Sequence, residues 1–302
     1  MEALLSLSFD NIASKDSAKI RKGLRQIEGL LAQICLSNSN SKSSAAMHKR
    51  RASAIALNQP QESTSPKKLG ALTEDPAFRE FFRLQEGFEW NVAIRIVACL
   101  ERLLGMSSSG QNDLLILSAL SNLQGILLLH PPSRTIFSRE IYMNLLLDLL
   151  DPYNCPAIQS STLLVLVTTL LSTPQNTRTF ESIDGLLTIT SLFKSRSTVH
   201  TVRLKLLEFI YFYLMPETPT IASASAPNTA MGLQRSPSKL LGAFERRNST
   251  HSGADCGGGF EEGRHETKTT EEKQTILGRY LSNVEDLVQD LRENAPFAEM
   301  TY

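Results

Sequence analysis

Residues 131 to 150 read PPSRTIFSREIYMNLLLDLL, and residues 173 to 193 read TPQNTRTFESIDGLLTITSLF. Laid over one another they pair Phe137 with Phe180, Met143 with Leu186, Leu146 with Ile189 and Leu150 with Phe193. Both phrases open with a polar turn followed by Arg and Phe, and only the second carries a glycine. Helical stretches of strongly apolar residues, Leu114 to Leu129, Ile158 to Leu171 and Val199 to Met215, stop at Pro132, Pro174 and Pro216, which stand 42 residues apart. Proline has no N–H for the next helical hydrogen bond, so it marks the ends. An interval of this size is that of armadillo and HEAT repeats, whose units cannot bury their apolar faces alone and must stack. The predicted fold class is all-α, an armadillo/HEAT-like helical repeat (α-α superhelix) over residues 71 to 216, preceded and followed by two disordered insertions.

Upstream, DPAFREFFRLQEGFEWNVAIRIVACLERLLG spans Asp75 to Gly105 and reads as two packed helices. Asp75 is placed to cap the first with Pro76 in its opening turn, and Gly87 ends it. The second shows a narrow polar stripe, Asn91, Arg95 and Arg102, with Phe88, Val92, Ile96, Val97, Leu100, Leu103 and Leu104 around the rest, so burial on most sides is expected. Residues 1 to 36 form an N-terminal helical pair in which Asp16 can cap a segment bearing Ile20, Leu24, Ile27, Leu31 and Ile34. On the stretch 114 to 129, Ser118, Ser121, Asn122 and Gly125 share one side, either a close approach to a neighbouring helix or a solvated face.

The 31 basic and 31 acidic residues cancel, which removes the usual warrant for a nucleic-acid partner. Four scattered cysteines fit a reducing compartment without disulfides. MEALLSLSF lacks a basic leader, and no apolar run approaches the roughly 20 residues of a membrane span. A cytoplasmic protein without direct membrane insertion is expected. Residues 37 to 70 hold eight serines and six basic residues against one acid, and residues 217 to 268 are rich in Ser, Thr, Gly and Pro. Neither offers enough apolar surface to offset its ordering entropy, so both are expected to be disordered.

No enzyme signature is present. The tyrosine-phosphatase loop needs Arg six positions after its Cys, whereas Ser41, Gly105, Ser161 and Glu262 follow the four cysteines at that distance. Gly257 to Gly259 lack the Gly-Lys-Ser/Thr ending of a phosphate loop. His251, Cys256 and His265 have no compact metal-ligand spacing. His130 and His200 fall near helix ends, where a surface or capping role is expected. The aromatic run Phe209 to Pro216 and Trp90 read as core packing, with an exposed repeat surface as the other possibility. The expectation is a protein that is not an enzyme, with no cofactor and no metal.

Regulatory chemistry is written in the insertions. His48-Lys49-Arg50-Arg51-Ala52-Ser53 matches a basophilic kinase substrate, and Arg246-Arg247-Asn248-Ser249 repeats its arginine part. Ser65 and Ser236 open Ser-Pro-x-Lys sequences of the cyclin-dependent kinase type. Ser53, Ser65, Ser236 and Ser249 are the candidate phosphorylation sites, each adding about 1.5 to 2 negative charges. The region 269 to 302 carries an expected helix from about Thr270 to Glu293, with Leu277, Tyr280, Val284, Leu287 and Leu291 as its apolar face. That face either caps the last repeat or docks a partner.

The phrases FEWN at Phe88 to Asn91 and CLERLL at Cys99 to Leu104, with EEKQTILGRYLSNVEDLVQDLRE near the end, resemble the fungal cell-division-control protein 14 family. That family is the adaptor of the septation initiation network and is unrelated to the phosphatase of the same name. The resemblance implies a noncatalytic regulatory subunit of a Ste20-like, germinal-centre kinase, working with spindle pole body proteins in septation and cytokinesis. The alternative function is a generic armadillo-like scaffold in trafficking or nuclear transport.

Overall fold

The structure, a computed structural model, describes residues 1–36, 67, 69–106, 110–217 and 267–294. Among them it is all-α, with no strand. Two helices open the chain, α1 (Glu2–Ala13) and α2 (Ser17–Cys35). They pack antiparallel, and a Cβ on Gly23 would lie 2.6 Å from Ile12 Cγ2 and 2.8 Å from the Ser8 carbonyl, so only glycine allows this approach. Asp16 caps α2 by accepting from the Ala18 N–H at 2.9 Å. After a short α3 (Leu69–Glu74), α4 (Pro76–Glu86) begins under the Asp75 cap, whose Oδ1 accepts from Ala77 N–H at 2.8 Å, and gives way at Gly87.

Then follow α5 (Val92–Gly105) and α6 (Asp113–Leu129). From there one order of elements occurs twice. A 3-10 segment (Pro131–Ser138), α7 (Glu140–Asp148) and α8 (Pro156–Leu170) form the first set. Helices α9 (Pro174–Ser182), α10 (Gly185–Lys194) and α11 (His200–Leu214) form the second. The long helices α6, α8 and α11 pack side by side in that order, and α2 and α5 both lie on α6. Phe137 and Phe180, equivalent in the two phrases, are both fully buried. Burial of a phenylalanine contributes about 1.5–3 kcal/mol relative to exposure.

Several expectations change. Phe88 is 73% exposed, because Asn91 caps α5 with its side chain on Ile94 N–H and leaves Phe88 in the turn before it, beneath the Arg95 guanidinium. The narrow polar stripe of α5 packs against α1: Arg102 donates to the Ile12 carbonyl at the end of α1, and Arg95 lies 5.4 Å over the Phe9 ring. Trp90 is half-buried beside Phe9. On α6 the small-residue side divides, with Asn122 donating to the Leu24 carbonyl at 3.2 Å and Gly125 against Leu31, while Ser121 faces solvent. The C-terminal region is two helices, α12 (Thr270–Leu277) and α13 (Val284–Asn294), in place of one. Gly278 disfavours helix at the break, and the N–H groups of Gly278 and Leu281 turn back onto the Gln274 and Leu277 carbonyls.

Candidate partner-binding surface and C-terminal closure

A helix leaves its last four carbonyls without partners and carries partial negative charge at that end. This chain supplies cations to those ends from far away in sequence. Lys67 donates to the Ile34 carbonyl near the end of α2 at 3.0 Å. Buried Arg134 donates to Leu127 O on α6 and Leu171 O after α8, both at 2.9 Å. Lys273 of α12 donates to Met215 O after α11, also at 2.9 Å. Leu171 and Met215 are the cap positions that follow α8 and α11, so their carbonyls are equivalent stations along the stack, whereas Leu127 lies inside α6 before its cap His130. Lys273 occupies the last.

Around that station lies an ionic cluster. Arg178 of α9 pairs with Glu181 at 2.9 Å and with Glu217. Lys268 donates to Glu181 at 2.6 Å, and the Tyr213 hydroxyl donates to the same carboxylate at 2.7 Å. Lys273 stands 3.3 Å from Glu217 and 5.2 Å over the Tyr213 ring. Burial pulls the Lys273 ammonium below the ordinary lysine range, and Glu217 works against that shift. Burial and the hydrogen bond to Glu181 push the Tyr213 hydroxyl far upward, so it stays a donor. A cavity of about 220 Å³ adjoins the cluster, lined by Leu171, Thr177, Phe212, Tyr213, Met215 and Lys273.

The predicted apolar face of the C-terminal region is dispersed by the break. Leu277 and Val284 are buried, Tyr280 and Leu287 are half-buried, and both α12 and α13 pack on α11. Leu281 and Val288 complete the covered surface and were missed by a heptad read straight through Gly278. The side chain of Leu291 falls outside the described residues. Lys194 of α10 donates to the Tyr280 carbonyl, tying the break to the preceding repeat phrase.

Ser53, Ser65, Ser236 and Ser249 lie outside the described residues, as do His251, Cys256 and His265 and nearly all of the two insertions. The ends of those insertions are described, and in each case they meet. Lys67 N–H donates to Cys35 O at 2.9 Å, and Lys67 pairs with Asp75, holding that carboxyl below its usual range. Glu217 N–H donates to Lys268 O at 3.1 Å, while Lys268 N–H donates to the Glu217 carboxylate at 3.0 Å.

His130 is not at the surface. It is 2% exposed, with its ring centroid 4.4 Å from that of Phe82 and Nδ1 2.8 Å from Ser133 Oγ. Asn91 also bonds Ser133 and the Gln85 carbonyl, so this buried polar group joins α4 and α5 to the 3-10 segment. His200 is exposed at the start of α11. The ring runs of α11 are packed, with Phe209 and Tyr213 buried and Phe180 edge-on to Phe209 at 5.7 Å. Cys35 and Cys99 are free, and burial raises both thiols, which disfavours the thiolate a nucleophile needs. Among the described residues no group of three or more His, Cys, Asp or Glu is placed to hold a metal, and no single helix is long and apolar enough to cross a membrane.

The chain is 25% identical over 300 residues to "Cell division control protein 14" of Schizosaccharomyces pombe, an alignment covering 99% of this chain and 98% of that protein. No solved structure matches it. A family model described as "Cell division control protein 14, SIN component" matches residues 1–297. The chain, from its N-terminal helical pair to the closure over α11, therefore belongs to that cell-division-control family of SIN components.

Proposed function

We propose that the protein is a noncatalytic adaptor on armadillo-like repeats that binds a Ste20-like kinase at the spindle pole body, in septation initiation and cytokinesis. The observation that carries this reading is the match over residues 1–297 to a SIN component. The twice-repeated order of short helix, helix and long helix, with cations on the equivalent cap carbonyls of Leu171 and Met215, supports the armadillo-like part. Buried Arg134 and Lys273 bond to helix-end carbonyls, and Tyr213 to the Glu181 carboxylate, a structural employment consistent with an adaptor. In this reading α12 and α13 cap the last repeat, as terminal repeats require, and kinase binding falls to the open faces of the stack. Adaptor binding acts by favouring one conformer or location of the kinase, without contributing a catalytic group. Phosphorylation at Ser53, Ser65, Ser236 or Ser249 modulates such contacts through added negative charge.

Native affinity purification from dividing cells tests the proposal. Near-stoichiometric recovery of a Ste20-like kinase, with kinase activity in the eluate, is the expected result. Its consistent absence overturns the kinase assignment.

A further inference from the structure

Two depressions cross the side of the stack built by α5, α7 and α10, with volumes of about 430 and 500 Å³. They share Asn144 and Asp148 and so run on as one groove. Glu101, Glu140, Asp148 and Asp151 line it, and no Lys or Arg is among the lining residues. None of the four carboxylates belongs to an ion pair among the described residues. The Asp151 carboxylate accepts from the Tyr153 backbone N–H at 2.8 Å. Asp148 sits in the last turn of α7, where the helix end is itself negative and disfavours an anion. Elsewhere this chain brings cations to helix ends; here it places acids and leaves them unpaired. The groove also exposes apolar surface, with Ile141 64% and Leu187 46% accessible.

Unpaired acids beside exposed aliphatic side chains are complementary to one kind of polypeptide. We propose that this groove docks a basic segment of a partner protein, with Lys or Arg on Glu101, Glu140, Asp148 and Asp151 and aliphatic side chains on Ile141 and Leu187. The inference rests on the groove's own charge and shape, not on the identity of the kinase. Cationic side chains there neutralise the clustered acids and complement the α7 terminus, while the aliphatic contacts confer selectivity beyond charge.

The test uses the full chain and a fluorescein-labelled synthetic peptide alternating arginine with leucine, followed by anisotropy at about 0.15 M salt, where distant charges are screened. A Glu140→Gln/Asp148→Asn/Asp151→Asn variant is expected to bind at least about tenfold more weakly. The exposed acids Glu285 and Asp286 on α13 provide a control, and their amide variants are expected to bind as the parent does. Ile141→Ser/Leu187→Ser is expected to weaken the arginine-leucine peptide but not an arginine-serine one. All substituted side chains are exposed, and helical circular dichroism verifies folding. Equal binding by the triple variant overturns the proposal. So does binding that emerges only after residues 38 to 66 are deleted, because it assigns the groove to the chain's own basic stretch.

Discussion

Replacing Lys273 by methionine removes the ammonium at the last carbonyl station while keeping a side chain of similar length. The residue is 4% exposed, and its Nζ lies 2.9 Å from Met215 O and 3.3 Å from Glu217. Glu217 keeps Arg178 and the Lys268 N–H, so no carboxylate is orphaned. The loss is therefore the ion pair with Glu217 and one charge-assisted hydrogen bond, the latter about 1.5–3 kcal/mol, offset by release from the desolvation of a buried cation. A net destabilisation of about 1–2 kcal/mol follows, which for a structured unit of this size lowers Tm by roughly 2–8 °C. Because Lys273 anchors only the closure, the effect should be local as well. Hydrogen exchange should accelerate in α12 and α13 before it does in α6 or α8. Thermal unfolding followed at 222 nm together with exchange mass spectrometry reads both quantities. An unchanged Tm with unchanged protection in α12 and α13 would refute the station as a source of stability.

Gly185→Ala should destabilise by about 1–3 kcal/mol in urea unfolding, although alanine is the better helix former, because its Cβ would lie 2.3 Å from the buried Phe180 ring; a stabilised variant would contradict that packing. Burial lowers the His130 pKa below 6.5, so the unfolded chain binds more protons between the two values and stability falls as pH drops through that window. Urea midpoints between pH 7.5 and 5 should decline less for His130→Gln than for the parent, and parallel declines would exclude His130 as the source. Excising residues 38 to 66 or 218 to 266 with a short Gly-Ser linker should leave Tm within about 2 °C, since each pair of ends already meets and loop closure depends weakly on length. Loss of the helical signal on excision would show that the insertions support the core.

Much of the helical order was legible because its determinants are local. Asp16, Asp75 and Gly87 act within a turn of their own helices, and the prolines at 132, 174 and 216 follow helices that end at Leu129, Leu170 and Leu214 wherever the rest of the chain lies. The aligned Phe137 and Phe180 are both fully buried, yet the arginines of the same phrases take different partners. Arg134 reaches two helix ends, whereas Arg178 joins Glu181 and Glu217. At the C-terminus a heptad read through Gly278 joined two helices into one, since periodicity counts apolar residues and does not weigh the cost of a glycine in mid-helix.

The sequence by itself determined which segments are helices, where most of them stop, and which family the chain resembles, because propensity, capping and apolar period act over a few residues. Only the tertiary structure decided the use of the charges. Lys67, Arg102, Arg134 and Lys273 bond to carbonyls 33 to 90 residues away, while Glu101, Glu140, Asp148 and Asp151 gather on one groove. The physical reason is reach: a helix end attracts any cation that the fold brings within about 3 Å, and which one arrives depends on how the helices stack.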